Sequence, residues 1–126
     1  MILEPLREML LRDPDVYRMV GERIYPVLLP TTPQLPAIRI TGVDEQTDSL
    51  TLVHTARVQL SCFGLSYADA TMLAHRVRTA LLNRTGVANT ITILTIESAG
   101  GGMDTYEADT RRYHTSEDVW VIWRYT

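Results

Sequence analysis

The sequence predicts an α+β domain: a mostly antiparallel four-stranded sheet with one long helix packed across a face and short N-terminal helices beside it. Three observations predict it. From Ile38 onward apolar residues recur with a period of two, between residues 66 and 84 the period lengthens to three and four, and before Gly21 leucines recur at helical spacing ahead of a proline stop. At 126 residues the chain is expected to hold a single domain, residues 1–126, able to bury roughly two thirds of its unfolded surface.

Leu3, Leu6 and Leu10 make the first helical stripe. Asp13-Pro14 stops it and starts a second helix, with the aspartate as N-cap and the proline at the first helical position, where a missing amide costs nothing. Gly21 ends that helix. Four prolines fall between Pro26 and Pro36, so this stretch is an extended connector whose backbone cannot pair fully within a sheet. Ile38 and Ile40 then alternate with Arg39 and Thr41 in the first strand. In the second, Leu52, Ala56, Val58, Leu60 and Cys62 share one face and Thr51, Thr55, Arg57, Gln59 and Ser61 the other. Between the two, Asp44 to Ser49 carries Asp44, Glu45 and Asp48 without a cation and reads as the tip of an antiparallel hairpin, facing either solvent or a partner and channel.

The long helix follows. Ser66 and Asp69 have the spacing of a capping box, which satisfies unpaired N-terminal amides. Ala70, Leu73, Ala74, Val77 and Leu81 form the stripe that covers the sheet, Arg76, Thr79 and Asn83 lie on another face, and Gly86 offers a C-terminal stop. Ile91, Ile93, Leu94 and Ile96 make the third strand and Val119 to Trp123 the fourth, each apolar on both faces. A second cover is therefore expected, from the N-terminal helices or from a neighbouring subunit. Trp120 and Trp123 suit an interface, because aromatic side chains dominate binding hot spots, and core packing accounts for each as well. Ser98 to Ser116 reads as a long loop opened by Gly100, Gly101 and Gly102 and carrying Asp104, Glu107, Asp109, Arg111 and Arg112.

Composition excludes several classes of function. The chain contains no lysine, its net charge is −3, and its arginines do not cluster, so a dedicated nucleic-acid surface is not expected. An RNA-binding sheet would interleave arginines with aromatics, whereas Arg57 shares its face with Thr55, Gln59 and Ser61 and with only Phe63 as an aromatic. No run of about 18 apolar residues marks a membrane helix. The first helix carries Glu4, Arg7 and Glu8 among its leucines, which reads as amphipathic rather than as a signal peptide and implies assembly in a cytoplasm. Cys62 has no partner for a disulfide, and on a strand it reads as a small buried residue. His54, His75 and His114 show no metal-ligand spacing, Gly100 to Gly102 lack the lysine and serine of a phosphate loop, and no serine occupies a Gly-x-Ser-x-Gly elbow. No catalytic residue, cofactor or metal is expected.

Four short motifs recur in one order: Gly21-Glu22-Arg23-Ile24-Tyr25-Pro26, Pro36 before the first strand, Arg57-Val58-Gln59, and Ser66-Tyr67-Ala68-Asp69-Ala70 after Cys62-Phe63-Gly64. Their order resembles the tail-completion, or tail-terminator, family of long-tailed bacteriophages. The resemblance implies a structural virion protein of the tail-neck region, assembled in the host cytoplasm. It implies a homo-oligomer, a hexameric ring that ends the tail tube and joins the tail to the head connector. Its implied partners are the tail-tube protein and the connector or head-closure protein, with DNA passing through the ring unbound. The acidic tip and the glycine-led segment are the candidate partner or channel contacts, and Arg57, Arg76, Trp120 and Trp123 the candidate subunit interface. A head-closure or adaptor subunit of the neck is the alternative within the virion; a small cellular α+β binding module or enzyme is the alternative outside it.

Overall fold

The computed structural model describes residues 2–126. Three helices, α1 (Leu3–Arg12), α2 (Pro14–Val20) and α3 (Tyr67–Leu81), and six strands, β1 (Ile24–Pro26), β2 (Ala37–Thr47), β3 (His54–Gly64), β4 (Gly86–Ala88), β5 (Ile91–Glu107) and β6 (Arg112–Tyr125), follow the chain. The strands form one mixed sheet in the order β1-β2-β3-β6-β5-β4, curled into a half-barrel. This corrects the expected four-stranded antiparallel sheet with one long helix. β1 pairs parallel with β2, and β1 and β4 each hold three residues, too few to display a period of two. α3 spans 15 residues rather than 66 to 84, because Asn83, at φ 62, turns the chain and donates its amide to the Ile96 carbonyl, which leaves Gly86 free to open β4.

The local signals that set the helices work as the sequence implies. The Asp13 carboxylate accepts from the amides of Asp15 and Val16, both at 3.0 Å, and Gly21 closes α2 at φ 58. Ser66 Oγ accepts from the Asp69 amide at 3.0 Å. Gly64 lies so close beneath this turn that a Cβ there would meet the Ala70 nitrogen at 2.8 Å, so only glycine lets the strand feed directly into the helix. The turn after α2 is held by Arg23, whose guanidinium donates to the carbonyls of Pro36 and Met19 and so brings the proline connector back alongside β1.

All three helices pack on one face of the sheet. Leu6 and Leu10 of α1, Val16 and Val20 of α2, and the Leu73, Val77 and Leu81 stripe of α3 are fully buried there against Ile38, Ile40, Val58, Leu60 and Cys62. Each such side chain contributes about 1.5–3 kcal/mol through removal from water. The register of β5 explains its two-sided look. Ile93 pairs with Trp123 and Thr95 with Ile122, so Leu94 is an extra, bulged residue. The bulge shifts the alternation by one, which places Ile91, Ile93 and Ile96 together in the core and leaves Leu94 exposed. On β6, Val119, Val121 and Trp123 face the core, and Trp120 and Ile122 lie half-buried on the helix-free face.

The expected loop from Ser98 to Ser116 is also corrected. β5 and β6 continue as a ladder to the Glu107–Arg112 pair, with only residues 108–111 turning between them. The three glycines have φ of 90, 114 and 82 and sit where the register shifts, so they bend a ribbon rather than unravel it.

Candidate functional site

The surface features a partner can read lie at the two ends of the β2–β3 strand pair and on the helix-free face. At one end is the acidic hairpin. β2 runs through Asp44 and Glu45 to Thr47, and the turn spans residues 48–53. Asp48 accepts from the amides of Thr51 and Leu50, which hold its carboxyl below the ordinary carboxylate range. Glu45 accepts from Trp123 Nε1 at 3.0 Å. That tryptophan is 1% exposed and stacks on His54 at a centroid distance of 4.1 Å, so it belongs to the core of its own chain and anchors the hairpin arm from beneath. Leu52, expected to share the face of Ala56 and Val58, stands instead in the turn at φ 58, exposed like Leu50.

At the other end is the β5–β6 ribbon. Asp104 accepts from Tyr67 Oη and from Thr115 Oγ1, both at 3.0 Å, and so ties the ribbon to the start of α3. Glu107 accepts from Arg112 Nε at 2.8 Å and from Thr110 Oγ1 at 3.1 Å. Burial acts to raise the Glu107 carboxyl, but these hydrogen bonds and the Arg112 charge outweigh it and hold the group below its ordinary value. Asp109 and Arg111 are exposed in the turn, with Arg111 at φ 52. Gly101 packs against β6 so closely that a Cβ would lie 2.9 Å from the Asp118 nitrogen, while Gly100 and Gly102 face open space.

The helix-free face carries a row of paired charges. Arg57 sits opposite Trp120, donates through Nε and Nη2 to Asp118, and places its guanidinium carbon 5.6 Å from the Trp120 ring. Farther along, Phe63 is fully buried between His114, stacked at 4.5 Å, and the guanidinium groups of Arg112 and Arg39, at 4.6 and 5.4 Å. His114 bonds Ser116 Oγ, and its pKa is lowered, first by burial and then by the two nearby arginines, against the opposing pull of Glu107. This cluster escapes sequence reasoning, because it joins residues from β2, β3, β5 and β6 whose register no local pattern reveals. Arg76 lies elsewhere, in the groove between α2 and α3, 3.6 Å from Asp15. The structure therefore joins Arg57 with Trp120 and separates both from Arg76 and from the buried Trp123.

Among the described residues no group of three or more His, Cys, Asp or Glu side chains converges as a metal site, and no helix is long and apolar enough to cross a membrane. Cys62 is fully buried, and burial pushes its thiol far above the ordinary range, which removes the reactive thiolate. On the helix-free face Arg57 pairs with Asp118 and Arg112 with Glu107 across neighbouring strands.

The family model described as tail completion protein gp17 matches residues 4–126. No curated protein matches the chain in sequence. The fold is similar to that of a chain in the virion of a native gene transfer agent particle, with a TM-score of 0.73 at 14% identity, covering 94% of this chain and 90% of that one. At that identity the likeness is one of fold.

Proposed function

The chain belongs to the tail completion protein gp17 family, structural virion proteins of bacteriophage, and from that membership we propose that it forms a ring, of six copies, that ends the tail tube and joins the tail to the head connector in the neck. The observation that carries the reading is the match itself, which runs from residue 4 to residue 126. The geometry agrees in kind. A ring subunit needs surfaces at opposed ends of a rigid body, and the sheet presents the acidic hairpin at one end of β3 and the β5–β6 ribbon at the other.

In this reading the hairpin residues Asp44, Glu45 and Asp48 and the ribbon residues from Gly100 to Arg112 supply the contacts to neighbours or line the channel. Exposed carboxylates such as Asp44, Asp48 and Asp109 would keep passing DNA from adhering by like-charge repulsion. Arg57 with Trp120, and Arg76 in its helical groove, are the subunit-facing candidates, and Trp123 contributes by fixing Glu45. Electron cryomicroscopy of purified tails tests the proposal through the copy number and position of the protein. The expected result is a closed ring on the last tube layer; a single copy per tail, or copies along the tube wall, would sink it.

A further inference from the structure

We propose that Tyr25, Arg39 and Ser61, side by side on the helix-free face, form a receptor for a carboxylate carried by an adjoining protein chain of the virion. The strand register sets them in one row. Tyr25 of β1 pairs with Arg39 of β2, and Arg39 pairs with Ser61 of β3, so the three side chains leave one face of the sheet at strand spacings of about 4.8 Å. Their neighbours along the strands, Ile24, Ile38, Ile40, Leu60 and Cys62, lie in the core, which fixes the row on the side without helices. Each of the three can donate a hydrogen bond, and none carries negative charge.

Arg39 is the cation this face leaves unmatched. Among the described residues it enters no ion pair, whereas Arg57 takes Asp118 and Arg112 takes Glu107. Its Nε is buried without a hydrogen-bond partner, and so is the hydroxyl of Ser61 directly across the strand pair, a residue of 0% exposure. Buried polar groups are rarely left unbonded, and two on paired residues call for a common partner. A charge surplus accompanies them. Arg39 and Arg112 stand 5.4 and 4.6 Å from the Phe63 ring, on which His114 also stacks, and Glu107 alone faces Arg112 and His114 with a negative charge. The pKa of His114 registers the surplus: burial lowers it most, Glu107 pulls the other way, and the charges of Arg39 and Arg112 lower it further. A guanidinium held against a ring presents its donors as a planar fork, the shape that matches the two oxygens of a carboxylate. The Tyr25 and Ser61 hydroxyls flank it with further donors. A DNA phosphate fits less well, because backbone binding draws on several cations along a track, and the neighbouring arginines of this face are matched to their own acids.

The receptor rests on the chain being a virion protein and not on the number of copies in a ring. Electron cryomicroscopy of assembled tails, at a resolution that shows side chains, reads it directly: an Asp or Glu of a neighbouring chain is expected within ion-pair distance of Arg39. Arg39 against a DNA phosphate, or against solvent alone, would overturn the receptor and leave the ring standing. A single copy per tail would sink the ring while the same map still shows what Arg39 meets. In solution, acetate titrated at constant ionic strength should give saturable NMR shifts at the Arg39 Nε–H and the Ser61 amide. Arg39→Lys keeps the charge and loses the fork, so it should keep the melting temperature and weaken acetate binding by roughly tenfold. Shifts that do not saturate, or that are equal at the already paired Arg57, would reduce the site to general ion screening and overturn it.

Discussion

Arg57 donates to a single oxygen of Asp118 through two nitrogens, Nε at 3.0 Å and Nη2 at 2.8 Å, across the β3–β6 pair. Asp118 is buried at 8% exposure, so without this arginine its carboxylate would have little water to replace the two hydrogen bonds. Removing one partner of a fully buried pair costs about 3–5 kcal/mol. Arg57 is 38% exposed, so water recovers part of that, and Arg57→Ala is expected to destabilise by about 1–3 kcal/mol. Denaturant titration should show a lower midpoint at an unchanged slope. A change below about 0.5 kcal/mol would mean that water already satisfies Asp118.

The α3 stripe gives a second, sharper contrast. Leu73 and Val77 are fully buried against the sheet, whereas Arg76 holds an ion pair of 3.6 Å with the exposed Asp15. Leu73→Asp or Val77→Asp forces an unpaired carboxylate into the core, a change in the strongly destabilising class, and should abolish the cooperative melting transition. Arg76→Ala should melt within a few degrees of the parent. Equal melting of the two kinds of variant would show that the helix face is misassigned.

These residues also show which signals local sequence carries. Asp13, Pro14, Ser66 and the leucine spacing are complete within one turn of chain, so the helices were legible. The second face of the sheet was not. Ile91, Ile93, Leu94 and Ile96 look apolar on both faces only because a bulge at Leu94 changes the phase, and a bulge is visible in the partner strand's register, not in the strand. The same limit hid the Phe63 cluster, where Arg39 of β2 and Arg112 and His114 of β6 meet Phe63 of β3. Gly100 to Gly102 read as a loop because a run of glycines signals both a bend and a break; the ladder between β5 and β6 decides for the bend.

His114 makes stability depend on mild acid. Its pKa in the folded chain is lowered from 6.5 by burial, with Arg39 and Arg112 adding to the effect and Glu107 opposing it. The unfolded chain therefore binds the proton more readily, so the histidine's contribution is complete above pH 6.5 and is lost as pH falls below it toward the folded value. Glu107 acts separately: its folded pKa lies below 4.5, so its contribution is present above 4.5 and is lost as pH falls through the folded value. Melting temperature against pH should decline in two steps, and His114→Gln should flatten the upper one while keeping the lower. Persistence of both steps in the variant would assign the upper one to another group.

The glycine run permits a test of the bent ribbon. Gly101 holds φ at 114 and leaves a Cβ no room, with the Asp118 nitrogen at 2.9 Å and Glu117 Cα at 3.0 Å. Gly100 and Gly102 have positive φ as well but face open space. Alanine at Gly102 therefore incurs only the backbone penalty, about 1–2 kcal/mol. Gly101→Ala incurs the same penalty and also separates two backbones at the bulge, which should raise the loss to about 3 kcal/mol or more. The strand partners of residues 98–103 should lose amide exchange protection with it, since the β5–β6 register is pinned there. If instead the two alanine variants prove equally stable and equally protected, residues 98–103 are not held against β6, and the segment is a mobile loop after all.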